Sequence, residues 1–224
     1  MDFNKTNYEL SNILQIKEMD KGELELIMNQ LEDSVFEDPF NSGDFANLAR
    51  AKVAFGQEFT LSDSQALEYY IDAAVLTDKA LAYLPDDQIS LKEIEYSNFF
   101  FIRNRTQRLK NNNIRFRAYS SALQANILCY LETEDFPSGQ KRHRDWALDA
   151  ANGLNKILPT APIARDLKEI YEISNEFFTE LSEEHSDPKY RLARMDARYG
   201  KDNSIKLAKE IDPRFPKISP QFIH

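Results

Sequence analysis

The residue types that most often carry catalysis or bind metals are few and widely spaced in this sequence. The histidines are His143, His185 and His224, and no pair of them has the spacing of a zinc site or a metalloprotease motif. Cys129 is the only cysteine and is flanked by apolar residues, which predicts a buried structural thiol. The six glycines are too far apart to form a phosphate-binding loop. We therefore expect no metal, no cofactor and no recognisable catalytic centre.

A basic segment is the main candidate for binding. Six cations occupy fifteen residues with no acidic residue between them: Arg103, Arg105, Arg108, Lys110, Arg115 and Arg117. We expect Arg115 and Arg117 in the first turn of a helix, where the helix dipole disfavours positive charge. An anionic group should therefore compensate them. It is either the acidic N-terminal part of the chain, including Asp86, Asp87, Glu93 and Glu95, or an external protein partner.

The C-terminal segment 212–224 is a second candidate. Prolines at 213, 216 and 220 exclude a continuous helix. Four large apolar side chains accompany them: Phe215, Ile218, Phe222 and Ile223. We expect this tail to dock on apolar surface of the same chain, because burial would offset the entropy of ordering it. A second copy or a partner is the alternative docking surface.

Charge is distributed unevenly along the chain. The net charge is −9, with −13 over residues 1–100, +6 over residues 101–144 and −2 over residues 145–224. The overall acidity disfavours nucleic acid as a partner, since phosphates would be repelled. A protein is the expected partner, and homo-oligomerisation is left open.

Composition favours long helices over a many-stranded sheet. The 224 residues include only 6 Gly, and 12% of them are aromatic. We expect no signal peptide, because the first residues lack a basic and an apolar region, and no apolar run is long enough to span a membrane. A lone cysteine fits a reducing compartment, so we expect a cytoplasmic protein.

Apolar residues recur at three- and four-residue spacing almost throughout, which predicts an all-α fold. We expect about ten antiparallel helices in one domain over residues 1–211, followed by the tail. Ser62 with Gln65 predicts a capped helix start, and Asp187 with Pro188 another, whereas Gly200 is placed as a stop. The expected helices are 5–19, 22–36, 44–59, 62 to before Pro85, one from 90, 114–133, one ending at 158, 162–182, 187–200 and 203–211.

Three of these helices end in an apolar phrase followed by proline: Ala80–Pro85, Leu154–Pro159 and Leu207–Pro213. Small residues precede two of the prolines by twelve positions, at Ala73 and Ala147. This pattern resembles the second-helix endings of tetratricopeptide repeats. The resemblance implies TPR-like stacked helix pairs that hold peptides or proteins. The prolines stand 74 and 54 residues apart, so an irregular helical bundle is the alternative.

Together these features predict a non-enzymatic helical module, a scaffold or adaptor that binds a protein partner. A small acidic cytoplasmic regulator or inhibitor, antitoxin-like or immunity-like, is the alternative. A helical enzyme whose site has no sequence signature is the third hypothesis. A groove lined by aligned helices would favour the interaction module. An acidic convex face would favour the regulator or inhibitor, and an enclosed polar pocket would favour the enzyme.

Overall fold

The computed structural model describes the backbone of residues 19–85, 102–133, 135–157 and 163–211, and every regular element in these ranges is an α-helix. The helices are α1 (Lys21–Glu37), α2 (Ser42–Phe59), α3 (Asp63–Ala82), α4 (Ile102–Glu132), α5 (Pro137–Leu154), α6 (Ala164–Glu184) and α7 (Pro188–Ile211). The all-α prediction is confirmed. None of the helices described is long and apolar enough to cross a membrane.

The number of helices differs from the expectation of about ten, since the described ranges contain seven. The expected helix 5–19 and the start of the one from residue 90 lie outside those ranges. The expected start at residue 114 is wrong, because α4 is already helical at Ile102. The separate ninth and tenth helices are also one helix, α7, in which Gly200 is an interior residue.

Helix starts were predicted better than helix interiors. Asp20 caps α1 through a reciprocal pair of bonds with Glu23, and α2 begins after Asn41, whose side chain accepts from the amides of residues 43 and 44. Ser62 caps α3 as expected by accepting from the Gln65 amide, although the Gln65 side chain bonds to Leu61 instead of completing the box. These bonds satisfy amide groups that have no partner within the helix.

The chain divides into two units, each with its own packing. The first unit contains α1 to α3, α4 from Arg117 onward and α5 up to Ala150. In it, α1 packs on α2 through Leu24, Met28, Leu31, Leu48, Ala51 and Phe55. A second cluster joins α2, α3 and α4 and consists largely of small residues: Ala49, Val53, Ala66, Tyr70, Ala73, Ala125 and Cys129. Small side chains allow these helices to approach closely.

The second unit contains the first half of α4 together with α6 and α7, which pack along each other as a helical hairpin. The rings of Phe178 on α6 and Tyr190 on α7 are stacked at 6.3 Å between centroids. The face of α7 that packs inward carries Tyr190, Ala193, Ala197, Ser204 and Ala208, all of them buried. The expected single domain over residues 1–211 stays a prediction.

Candidate interaction surface

The residues singled out for chemistry are structural where the structure describes them. Cys129 is fully buried in the cluster between α2, α3 and α4, as expected. Burial raises the pKa of its thiol to about 12, and the nearby carboxylate of Glu132 adds to the shift. The thiol is therefore protonated at neutral pH and is a poor nucleophile. Among the described residues no group of three His, Cys, Asp or Glu side chains is arranged to hold a metal ion.

His143 on α5 lies at a junction with α4. Its Nδ1 is 3.0 Å from the side-chain oxygen of Asn126, so the ring donates to that amide oxygen through Nδ1. Its ring also meets Trp146 edge-on, and burial together with neighbouring Arg142 lowers the pKa of His143. The neutral ring thus ties α5 to α4.

The six cations of the basic segment do not share one environment. All of them lie on α4, but the side chains of Arg103, Arg105 and Arg108 are outside the described residues. Lys110 is exposed, whereas Arg115 is buried. Lys110 is thus accessible to an external partner, whereas Arg115 is not. A partner-binding role for the set stays a prediction.

Arg115 and Arg117 are also not in a first turn, because α4 begins more than ten residues before them. No glycine or proline interrupts residues 102–132, so nothing in the backbone chemistry stops the helix. The run of asparagines at 111–113 has low helix propensity, but Asn111 and Asn112 are buried in the fold. Tertiary packing thus overrides local propensity, and the dipole penalty expected for these two arginines does not arise.

Arg117 is instead half-buried and lies near a buried polar cluster within the first unit. Asp44, in the first turn of α2, is 3% exposed and accepts hydrogen bonds from Ser34 at 2.6 Å and from Asn41 at 2.7 Å. Burial lowers the pKa of Arg117 to about 10, and the negative charge of Asp44 opposes that shift. This arrangement supports the internal alternative for Arg117, with Asp44 as the compensating carboxylate.

A different surface combines exposure with a regular pattern. Leu192, Met195 and Tyr199 on α7 are 61%, 61% and 64% exposed. Their spacing of three and then four residues places them on one face of the helix, opposite the face packed on α6. Elsewhere in the described ranges no helix presents three large exposed apolar side chains on one face: Ile71 and Val75 form a pair on α3, and the rings of Phe40 and Tyr83 contact each other edge-on. We call Leu192, Met195 and Tyr199 the apolar row.

A row of arginines runs beside the apolar row. Arg191, Arg194 and Arg198 each precede one of its members by one position, so the two rows are parallel. Arg191 and Arg198 are exposed and Arg194 is half-buried. None of the three forms an ion pair with any residue in the part of the chain that the structure describes. We call these three residues the arginine row.

Two lysines of α7 have carboxylate partners. Lys201 pairs with Glu172 on α6, and Lys189 lies 3.5 Å from Asp187. The arginine row differs from these two lysines in that respect. The two rows together form the candidate interaction surface.

Sequence reasoning missed this surface although its signal was readable. The doublets Arg191-Leu192, Arg194-Met195 and Arg198-Tyr199 repeat the same order of residue types at helical spacing. The expected helix 187–200 also contained them, but only its start and its end were interpreted. The tail residues Phe215, Ile218, Phe222 and Ile223 lie outside the described residues, and their docking stays a prediction.

No protein-family model matches this chain, and comparisons with curated proteins and with solved structures find no significant match either. The resemblance to tetratricopeptide repeats therefore stays a prediction based on three helix endings. The candidate surface is interpreted from its own residues.

Proposed function

We propose that this protein is a non-enzymatic helical interaction module that binds a protein partner through the apolar row of α7. The observation that carries the proposal is the exposure of Leu192, Met195 and Tyr199 in register on one helix, with the opposite face already buried against α6. A helix that only completed a hydrophobic core would need one apolar face. The second apolar face is explained if another surface covers it.

The residue types of this surface also fit a binding role. Tyrosine and arginine are enriched among the side chains that dominate binding energy, and methionine adapts its shape to a partner. The spacing of the apolar row is the one by which helices present anchors to a protein groove or to another helix. The described helices support a scaffold or adaptor that offers a rigid surface, and we further propose a cytoplasmic location for it.

Site-specific photo-crosslinking in the native host tests the proposal. A photoreactive amino acid is placed at Met195 and, as a control, at Leu61, which is 92% exposed in the other unit. We expect a distinct protein to crosslink at position 195 and not at position 61. The variant Leu192→Ser/Tyr199→Ser should abolish this crosslink, whereas Phe36→Ser should not, because Phe36 is 88% exposed but lies on α1.

The same crosslinked proteins at positions 195 and 61, or a crosslink that survives the double substitution, would contradict the proposal. Thermal unfolding of each variant shows whether the fold is retained. Little change is expected, because substitutions at exposed positions usually alter stability by about 0.5 kcal/mol or less.

A further inference from the structure

The two rows on α7 have the spacing of a coiled-coil seam. Leu192, Met195 and Tyr199 occupy consecutive a, d and a positions of a heptad, since they are three and then four residues apart. Arg191 and Arg198 then occupy successive g positions, which flank the seam along one edge. In coiled coils, side chains at the flanking e and g positions pair across the interface and select the partner.

From this geometry we infer that the occupant of the apolar row is an acidic amphipathic α-helix of a protein partner. The inference rests on the proposed function and names the class of partner. An apolar seam on the incoming helix packs against Leu192, Met195 and Tyr199. Glutamates or aspartates along its flank pair with Arg191 and Arg198, whose guanidinium groups have no ion-pair partner within the described ranges.

The two edges of the seam carry opposite charges, so the charges on the partner helix must be arranged in one particular way. Asp196 follows Met195 directly, is exposed and occupies the e position. A partner helix that is acidic on the arginine side and neutral or basic on the Asp196 side is therefore favoured. A helix with the reverse charges would place like charges next to each other on both edges.

A membrane surface fits the observations less well than a protein does. Helices that lie on anionic membranes carry basic residues on their polar face and bury an apolar face in the lipid. Here Asp196 borders the apolar row, Asp202 is exposed three residues after Tyr199, and the whole chain carries a net charge of −9. These negative charges would be repelled by anionic lipid.

The contact is short, and this determines the expected affinity. The apolar row spans the eight residues from Leu192 to Tyr199, which is about two turns and roughly 10 Å of helix. An interface of this length buries less surface than stable complexes do, so binding should be reversible and of modest affinity. Its arginine contribution should weaken as salt screens the charges.

The test uses the full chain and two synthetic helical peptides of identical length. Both carry leucine at a and d. One has glutamate at the flanking positions of one edge and glutamine at those of the other edge, and the second peptide has lysine in place of each glutamate. Binding is measured by fluorescence anisotropy at low and at high salt. We expect the glutamate peptide to bind the protein at least about tenfold more tightly than the lysine peptide at low salt, and to lose affinity as salt rises.

Three variants distinguish the contribution of the arginine row to binding from that of the apolar row. Arg191→Glu/Arg198→Glu should reverse the preference, so that the lysine peptide binds and the glutamate peptide does not. The matched control Lys141→Glu/Arg165→Glu changes the net charge equally at exposed positions outside the surface and should keep the wild-type preference. Leu192→Ser/Met195→Ser/Tyr199→Ser should abolish binding of both peptides.

Several results would overturn the inference: equal binding of the two peptides, binding of neither, or a preference that survives the arginine reversal. Binding to phosphatidylserine vesicles without binding to the glutamate peptide would assign the surface to a membrane. Dimerisation that the triple serine variant abolishes would assign it to a second copy. If the inference fails while the crosslink at Met195 persists, the proposed function stands and only the class of partner is wrong.

Discussion

At the scale of single residues, Arg117 belongs to a basic segment that the sequence presents as a candidate for binding. In the structure its charge instead interacts with the buried carboxylate of Asp44. Arginine is normally among the most exposed residues, and burying its charge is unfavourable, as the lowered pKa of Arg117 reflects. Asp44 offsets part of that penalty, and Ser34 and Asn41 satisfy one oxygen of its carboxylate. The charges of Asp44 on α2 and Arg117 on α4 thus attract each other within the first unit.

Removing only one member of this pair should be damaging. In Arg117→Met the carboxylate of Asp44 loses its compensating charge, and in Asp44→Asn the guanidinium loses its own. We expect each substitution to lower the free energy of unfolding by about 1–3 kcal/mol, because the charged group that remains loses its compensating neighbour. The double substitution should recover part of that loss, because no uncompensated charge remains. Urea unfolding of the wild type, the two single variants and the double variant measures the interaction free energy between Asp44 and Arg117. Single effects that simply add in the double variant would contradict this interaction.

At the scale of helices, α7 depends on a glycine that the sequence presents as a stop. A Cβ atom at Gly200 would lie 2.5 to 2.7 Å from three carbons of the Tyr171 ring on α6. The ring cannot easily move, because it is buried and its hydroxyl donates to the Leu154 carbonyl at 3.2 Å. Gly200 is therefore retained for close packing, although glycine lowers helix propensity by about 1 kcal/mol relative to alanine.

Gly200→Ala should destabilise the protein in spite of its better helix propensity. Overpacking of this kind typically lowers stability by about 1–3 kcal/mol. Gly139→Ala on α5 is the matched control, because its Cβ would meet only Phe136 at an ordinary distance of 3.8 Å. That substitution should leave stability unchanged or raise it by up to about 1 kcal/mol. Melting temperatures of the two variants decide the point, and a Gly200→Ala protein as stable as the wild type would refute the packing argument.

At the scale of the whole molecule, two groups of cations have different roles. Residues 101–144 carry a net charge of +6 and follow an N-terminal part of −13, so attraction between these parts of the chain is expected. Within this segment the structure gives Arg117 an internal carboxylate neighbour and buries Arg115. The arginine row of α7, by contrast, has no ion-pair partner among the described residues. The first group is expected to stabilise the fold and the second to bind.

Charge reversal at each group tests this division. Arg103→Glu/Arg108→Glu should lower the melting temperature at low salt, with a smaller effect at high salt, because salt screens the attraction between the basic segment and the acidic N-terminal part of the chain. Arg191→Glu/Arg198→Glu should leave the melting temperature nearly unchanged while it abolishes binding of the glutamate peptide. The opposite pattern, in which the first variant is stable but no longer binds, would assign the partner to the basic segment of α4.

The sequence by itself determined the fold class, most helix starts and the burial of Cys129. Apolar spacing and capping residues act within one or two turns, so they can be read without knowledge of the fold. Tertiary structure alone decided that α4 runs through its asparagines, that Gly200 lies inside a helix against Tyr171, and that Arg117 lies near Asp44. Each of these depends on contacts between residues far apart in the chain. The apolar row was visible as a pattern, but only the packing of α6 on the other face of α7 showed that it is exposed.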